Sequence, residues 1–255
     1  MRPLARRVRL IVPTIAVLAL LLWVVPAALG AIRRSAPPRA AVPEPSPPSP
    51  TPSRSPSPTP VPEPTVGRGT WDYLDRQGPV LGGSGRIEHF RVAVEQGIPY
   101  PVDAFADKVD QVLGDPRGWT ASGSLRLQEV PGNAPADFTI YLATRVTSTR
   151  MCAQGGLDTG GYTSCRVPGR VIINLDRWNG SVPEYVTAGV PLDVYRDYVI
   201  NHETGHQFGH GHELCPGRGS PAPVMEQQTL GLHGCTANPW PYLDGRRYAG
   251  RPGQY

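Results

Sequence analysis

Four of the six histidines in this 255-residue chain fall within eleven consecutive positions, His202-Glu203-Thr204-Gly205-His206-Gln207-Phe208-Gly209-His210-Gly211-His212. On a helix, residues i and i+4 share a face about 6 Å apart along the axis, so the imidazoles of His202 and His206 can converge on one metal ion at about 2.0–2.1 Å. An uninterrupted helix would carry His210 about 12 Å along the axis from His202, out of reach of the same ion. Gly209 can adopt a positive φ and end the helix, turning the chain so that His212 comes back towards the other two. The run therefore demands a helix with a defined stop and a loop that folds back over its end. His210 is expected beside the ligands and not among them, and His89 and His233 stand alone in the sequence.

Three neutral imidazoles leave the fourth position of a tetrahedral Zn2+ open, the condition of a catalytic rather than a structural site. Water in that position has its pKa lowered towards ~7. Glu203, adjacent to the first ligand, is then the general base that takes the proton and passes it to the leaving group. The run matches the extended H-E-x-x-H-x-x-G-x-x-H signature, with Gly209 at its glycine and His212 at its third histidine, and so the chain resembles the metzincin zinc peptidases. Met225, in Pro221-Ala222-Pro223-Val224-Met225, stands where that family has its methionine turn. The chain as a whole is also similar to an actinobacterial family of membrane-anchored proteins bearing such a domain, and 24 arginines against the single Lys108 suit a GC-rich genome.

The resemblance implies an α+β fold: a twisted mixed sheet with two main helices, the second carrying the zinc motif, followed by a small irregular C-terminal part. It implies one catalytic Zn2+ held by His202, His206 and His212, Glu203 as catalytic residue, Met225 beneath the site, and hydrolysis of a protein or peptide substrate. An edge strand near the cleft would pair with extended substrate. Some metzincins have a tyrosine two residues after the turn methionine that helps stabilise the oxyanion. Gln227 stands there, so that role falls to zinc alone, to Gln227 or to a residue such as Tyr242. The alternative is a zinc-stabilised module that binds the cell envelope without turnover. Glu203 favours the enzyme, because a purely structural site has no use for a carboxylate there.

The N-terminal quarter has another logic. Residues 1–9 carry four arginines, 10–32 carry no charge, and Arg33-Arg34 follow. At 1.5 Å per residue this run spans a bilayer core of about 30 Å. The arginine excess puts 1–9 in the cytoplasm and exports the rest. The length of the run favours an uncleaved signal anchor; the competing reading is a signal peptide cut near Ala27-Ala28-Leu29-Gly30-Ala31, which would release a secreted domain. Residues 33–65 form a Pro/Ser/Thr-rich stalk, with 13 prolines between positions 35 and 65 and little to bury. The formal charge of +4 belongs to this segment, since 1–65 carries +6 and 66–255 carries −2. A nucleic-acid partner is therefore not indicated.

Residues 66–255 are left as the folded domain. Its four cysteines form an even set in an oxidising compartment, and short loops favour Cys152–Cys165 and Cys215–Cys235 among the three possible pairings. Alternation or apolar runs predict strands at 86–95, 124–130, 137–143 and 170–175, the last covered on both faces. Helical spacing predicts helices at 102–113 and 191–208, and glycine and proline beyond 209 predict irregular loops.

Overall fold

The computed structural model describes residues 64–255. The expected cytoplasmic tail, membrane anchor and all but the last two residues of the stalk lie outside the described residues. No helix among the described residues is long and apolar enough to cross a membrane.

The elements run β1 (Trp71–Tyr73), β2 (Val80–Leu81), β3 (Arg86–Glu95), α1 (Val102–Leu113), β4 (Leu125–Glu129), β5 (Phe138–Ala143), α2 (Arg145–Ala153), β6 (Cys165–Val167), β7 (Arg170–Asn174), α3 (Leu175–Gly180), α4 (Pro183–Thr187), α5 (Leu192–Gln207), and the short pair β8 (Tyr242–Leu243) and β9 (Arg246–Arg247). Seven of the strands form one mixed sheet in the order β2-β4-β3-β5-β7-β6, with β1 paired to the far end of β3. The centre is parallel, β4-β3-β5-β7, while β2 and β6 close the two edges antiparallel.

All four expected strands and both expected helices are present, with ends moved by a residue or so. The largest change is at Leu175, which begins α3 instead of ending β7, because Asn174 accepts a hydrogen bond from Asp176 N through its side chain and starts the helix. Phe90, Val92 and Val94 of β3, with Ile140 and Leu142 of β5 and Val171 and Ile173 of β7, face α1 and α5 in the main core. The alternate residues Ala93, Tyr141 and Ile172 face the other way, against Met151 and Cys152 of α2. β7 is thus covered on both sides, as its unbroken apolar run requires. At about 25 cal/mol per Å2, the fully buried aromatic and aliphatic side chains that join α1, α5 and the sheet are the main stabilising term.

Two disulfides, Cys152–Cys165 and Cys215–Cys235, are formed and no free cysteine remains. The first joins α2 to the edge strand β6. Beyond α5 the described chain contains no further helix, only β8, β9 and loops.

One buried carboxyl in this frame is poorly matched. Glu129, at the end of β4, is fully buried and neither side-chain oxygen has a hydrogen-bond partner. Arg76 Nε stands 3.6 Å away and Asp110 of α1 lies close by. Burial, then the charge of Asp110, pushes the Glu129 carboxyl up to about 8. A carboxyl raised in the fold stays protonated while its unfolded counterpart ionises. Its stabilising effect is therefore complete below about 4.5 and lost as pH rises towards about 8. Glu129→Gln should give a shallower fall in Tm between pH 5 and 8 than the wild type, measured by thermal unfolding across that range; parallel profiles would contradict this assignment.

Candidate metal centre

α5 is held against α1 by Lys108, whose Nζ reaches Asp193 at 2.9 Å and Asp197 at 2.6 Å. Tyr195, Tyr198 and Val199 bury its first turns in the core, and His202 and Glu203 continue the buried stretch. At Phe208 the helix ends. Gly209 takes φ 90° with open space around it, so the backbone angle and not a tight contact accounts for glycine. His210 N then bonds to Gly205 O at 2.9 Å, and the chain turns back.

The turn brings His212 to the helix face. Ring centroids of His206 and His212 are 4.7 Å apart, those of His202 and His206 4.8 Å, and those of His202 and His212 5.5 Å. One ligand atom from each histidine lies within 4.8 Å of the others. His206 Nε2 and His212 Nε2 are 3.1 Å apart, close to the roughly 3.3 Å separating two nitrogens bound at 2.0–2.1 Å to a tetrahedral ion. His202 Nδ1 contacts Val224 O at 2.8 Å, His206 Nδ1 contacts His210 O at 2.8 Å, and His212 Nδ1 contacts Gln254 Oε1 at 3.2 Å. An oxygen acceptor on each Nδ1 requires the proton there and leaves Nε2 with its lone pair.

The electrostatics agree. Burial, followed by the neighbouring imidazoles, holds His202 well below its ordinary pKa; burial lowers His206 to about 4 and also lowers His212. All three are neutral near pH 7, the form that binds a metal. The three imidazoles are placed so that they could hold one metal ion. A second gathering, Cys215, Glu226 and Cys235, could not, because its sulfurs are bonded to each other and supply no thiolate.

Glu203 lies beside the histidines, buried, with burial alone pushing its carboxyl up to about 8. It lines a cleft of about 370 Å3 together with the three histidines, with Ser164 and Arg166 at β6, and with Gln227 and Thr229. Arg166 Nε donates to Gln207 Oε1 at 2.9 Å, fastening the edge strand to α5. Of the two side chains considered for oxyanion stabilisation, Gln227 lines the cleft, whereas Tyr242 sits in β8 opposite Arg247, away from the cleft lining. Tyr198, which sequence reasoning did not single out, also lines the cleft, and its hydroxyl donates to Glu226 O at 3.0 Å.

Met225 is fully buried and its carbonyl accepts from Glu213 N at 3.1 Å, so its segment links Val224, which orients His202, to the loop bearing His212. His210 is not part of the three-histidine grouping; its ring stacks on Trp119 at 4.2 Å while its carbonyl orients His206. Gly205 is the contact point between α5 and this floor, since a Cβ there would run into Met225 Sδ and the Trp119 ring.

A family model described as protein of unknown function (DUF3152) matches residues 57–239, more than two-thirds of the chain and including all three histidines, Glu203 and Met225. No curated protein and no solved structure matches the chain.

Alanine is the better helix former by about 1 kcal/mol, but overpacking a filled site costs about 1–3 kcal/mol. The indole edge of Trp119 has little room to retreat, because its Nε1 is bonded to Asn201 O at 2.8 Å. Gly205→Ala should therefore lower Tm in thermal unfolding, and an unchanged or higher Tm would show that the helix has space here.

Proposed function

The chain belongs to the DUF3152 family, and we propose that its domain is a zinc-dependent endopeptidase of metzincin type, exported and acting outside the cytoplasm on protein or peptide substrates. The observation that carries this reading is the pairing of three neutral imidazoles, each with its Nδ1 engaged and its Nε2 free, with an unpartnered carboxyl, Glu203, in one open cleft. His202, His206 and His212 would hold the ion. Zn2+ bound by three imidazoles supplies a Lewis acid that lowers the pKa of water and polarises a substrate carbonyl.

The remaining work belongs to the chain. Glu203 accepts the proton of the attacking water and delivers it to the departing amine nitrogen. Its burial raises its proton affinity, and a cation alongside acts in the opposite direction, which keeps it able both to take and to give a proton. β6 ends the sheet and borders the cleft through Ser164–Arg166, so its outer edge supports an extended peptide lying alongside as an added strand. Gln227, which also lines the cleft, has an amide suited to donate to a developing oxyanion. Met225 under Gly205 and the mixed sheet ahead of the histidine helix are consistent with a metzincin-like arrangement. The two disulfides suit the extracytoplasmic side, where the uncharged segment 10–32 would anchor the chain to the membrane.

A purely zinc-stabilised binding module is the reading to test against. In a peptide-library cleavage assay with parallel metal analysis, Glu203→Gln should retain one zinc and lose activity by about 10^2–10^4-fold. Stoichiometric zinc with no cleavage by the wild type would favour the binding module, and undiminished cleavage by Glu203→Gln would remove Glu203 from the mechanism.

A further inference from the structure

His212 stands beyond the end of α5, in a stretch with no helix or strand of its own. Two of the three histidines are oriented by main-chain carbonyls close to the helix floor or the helix end. The third relies on a side chain 42 positions away, Gln254. The chain that delivers Gln254 lies along the His212 loop in a continuous series of bonds. Gly253 N donates to His212 O at 3.1 Å, Leu214 N to Arg251 O at 2.8 Å, and Cys215 N to Tyr255 Oη at 3.0 Å. Glu213 and Pro252 form a β-bridge, and Glu213 binds Arg247 NH2 at 2.7 Å and Gly250 N at 3.1 Å. The approach is close enough that a Cβ on Gly250 would run into Leu214 O, and one on Gly253 into the Leu214 side chain.

On the reading that the histidines hold zinc, we propose that residues 246–255 are a strap belonging to the metal site, with Gln254 the positioning residue for the third ligand. The segment lies wholly beyond residue 239, where the family match ends. The strap fixes the His212 backbone through its main-chain bonds. Gln254 then fixes the ring: its amide oxygen accepts the Nδ1 proton, so Nε2 is the nitrogen turned towards His206. Without this acceptor the imidazole can exchange tautomers and rotate, and part of its population presents a protonated nitrogen to the ion. Hydrogen-bond partners of this kind on metal-bound histidines are worth about 10–100-fold in metal affinity. Gln254 is solvent-exposed, which places the expected effect near the lower end of that range.

The test measures zinc affinity of the full-length chain by competition with a chromophoric chelator, alongside thermal unfolding of the metal-free protein. Gln254→Ala should weaken zinc about 10-fold while the metal-free Tm stays at the wild-type value. Gln254→Glu keeps an acceptor and lacks a donor, and should restore wild-type affinity. Unchanged affinity in Gln254→Ala overturns the proposal. So does equal weakening in both variants, because the side chain would then act by packing or through its NH2 group. A wild type that binds no stoichiometric zinc overturns the metal reading itself, and this one with it; zinc bound equally by all three proteins overturns only the role of Gln254.

Discussion

A histidine can offer a metal only the nitrogen that carries no proton, and in this domain three oxygen atoms make that choice. Val224 O, His210 O and Gln254 Oε1 each engage an Nδ1. Their origins differ: one from the segment beneath α5, one from the loop that leaves it, one from the chain's last residues. For all three to be in place, α5 must stop at Gln207, residues 222–226 must pass under Gly205, and the strap must reach His212. Much of the irregular C-terminal part is accounted for by this requirement. It contributes few apolar side chains to the core, yet its main-chain and amide oxygens set the orientation of the three imidazoles.

The buried carboxyl groups differ in how they are satisfied. Glu95 is fully buried and well satisfied, accepting from Gly69 N, from Thr144 N and Oγ1 and from Thr147 Oγ1 at 2.6–2.8 Å. Those bonds join the chain ahead of β1 to the start of α2. Its buried oxygens are thus satisfied by donors inside the fold. Glu203 has no such donors, and burial raises it to about 8. Glu129 and Glu226 are also raised, to about 8 and about 7, by burial without hydrogen-bond partners, but neither lines the cleft. A raised carboxyl alone is therefore no mark of function in this domain; Glu203 is set apart by its position between two histidines and its access to the cleft.

What could be read from the sequence was whatever one element encodes in its own periodicity. α1 follows its apolar spacing from Val102 to Leu113, β7 its run of apolar residues, and α5 the spacing of His202 and His206. The turn at Gly209 was also legible, since a helix ending there is the one way to recover His212. α2 was not, because RVTSTRMCA has no apolar stripe; it is held by Met151, by the Cys152 disulfide and by Glu95 at its first turn. β6 was missed for its length, three residues with an arginine at the centre. The strap was missed because the bonds that tie it to the His212 loop all reach chain more than 30 positions away, and nothing in TANPWPYLDGRRYAGRPGQY announces a partner.

β6 also shows how compartment and site are connected. A three-residue strand on a sheet edge has too few ladder bonds to hold its own position, and an exposed edge is free to fray or to pair elsewhere. Here it is fixed from both sides: Cys165 is bonded to Cys152 of α2 beneath it, and Arg166 reaches Gln207 on α5. Alternation along the strand makes this possible, sending Cys165 and Val167 to one face and Arg166 to the other. Since the cleft wall includes Cys165 and Arg166, its shape depends on a cross-link that persists only where thiols are oxidised. In a reducing compartment α2 and β6 would be joined by packing alone, and the edge proposed to receive a peptide would be the first part of the sheet to loosen.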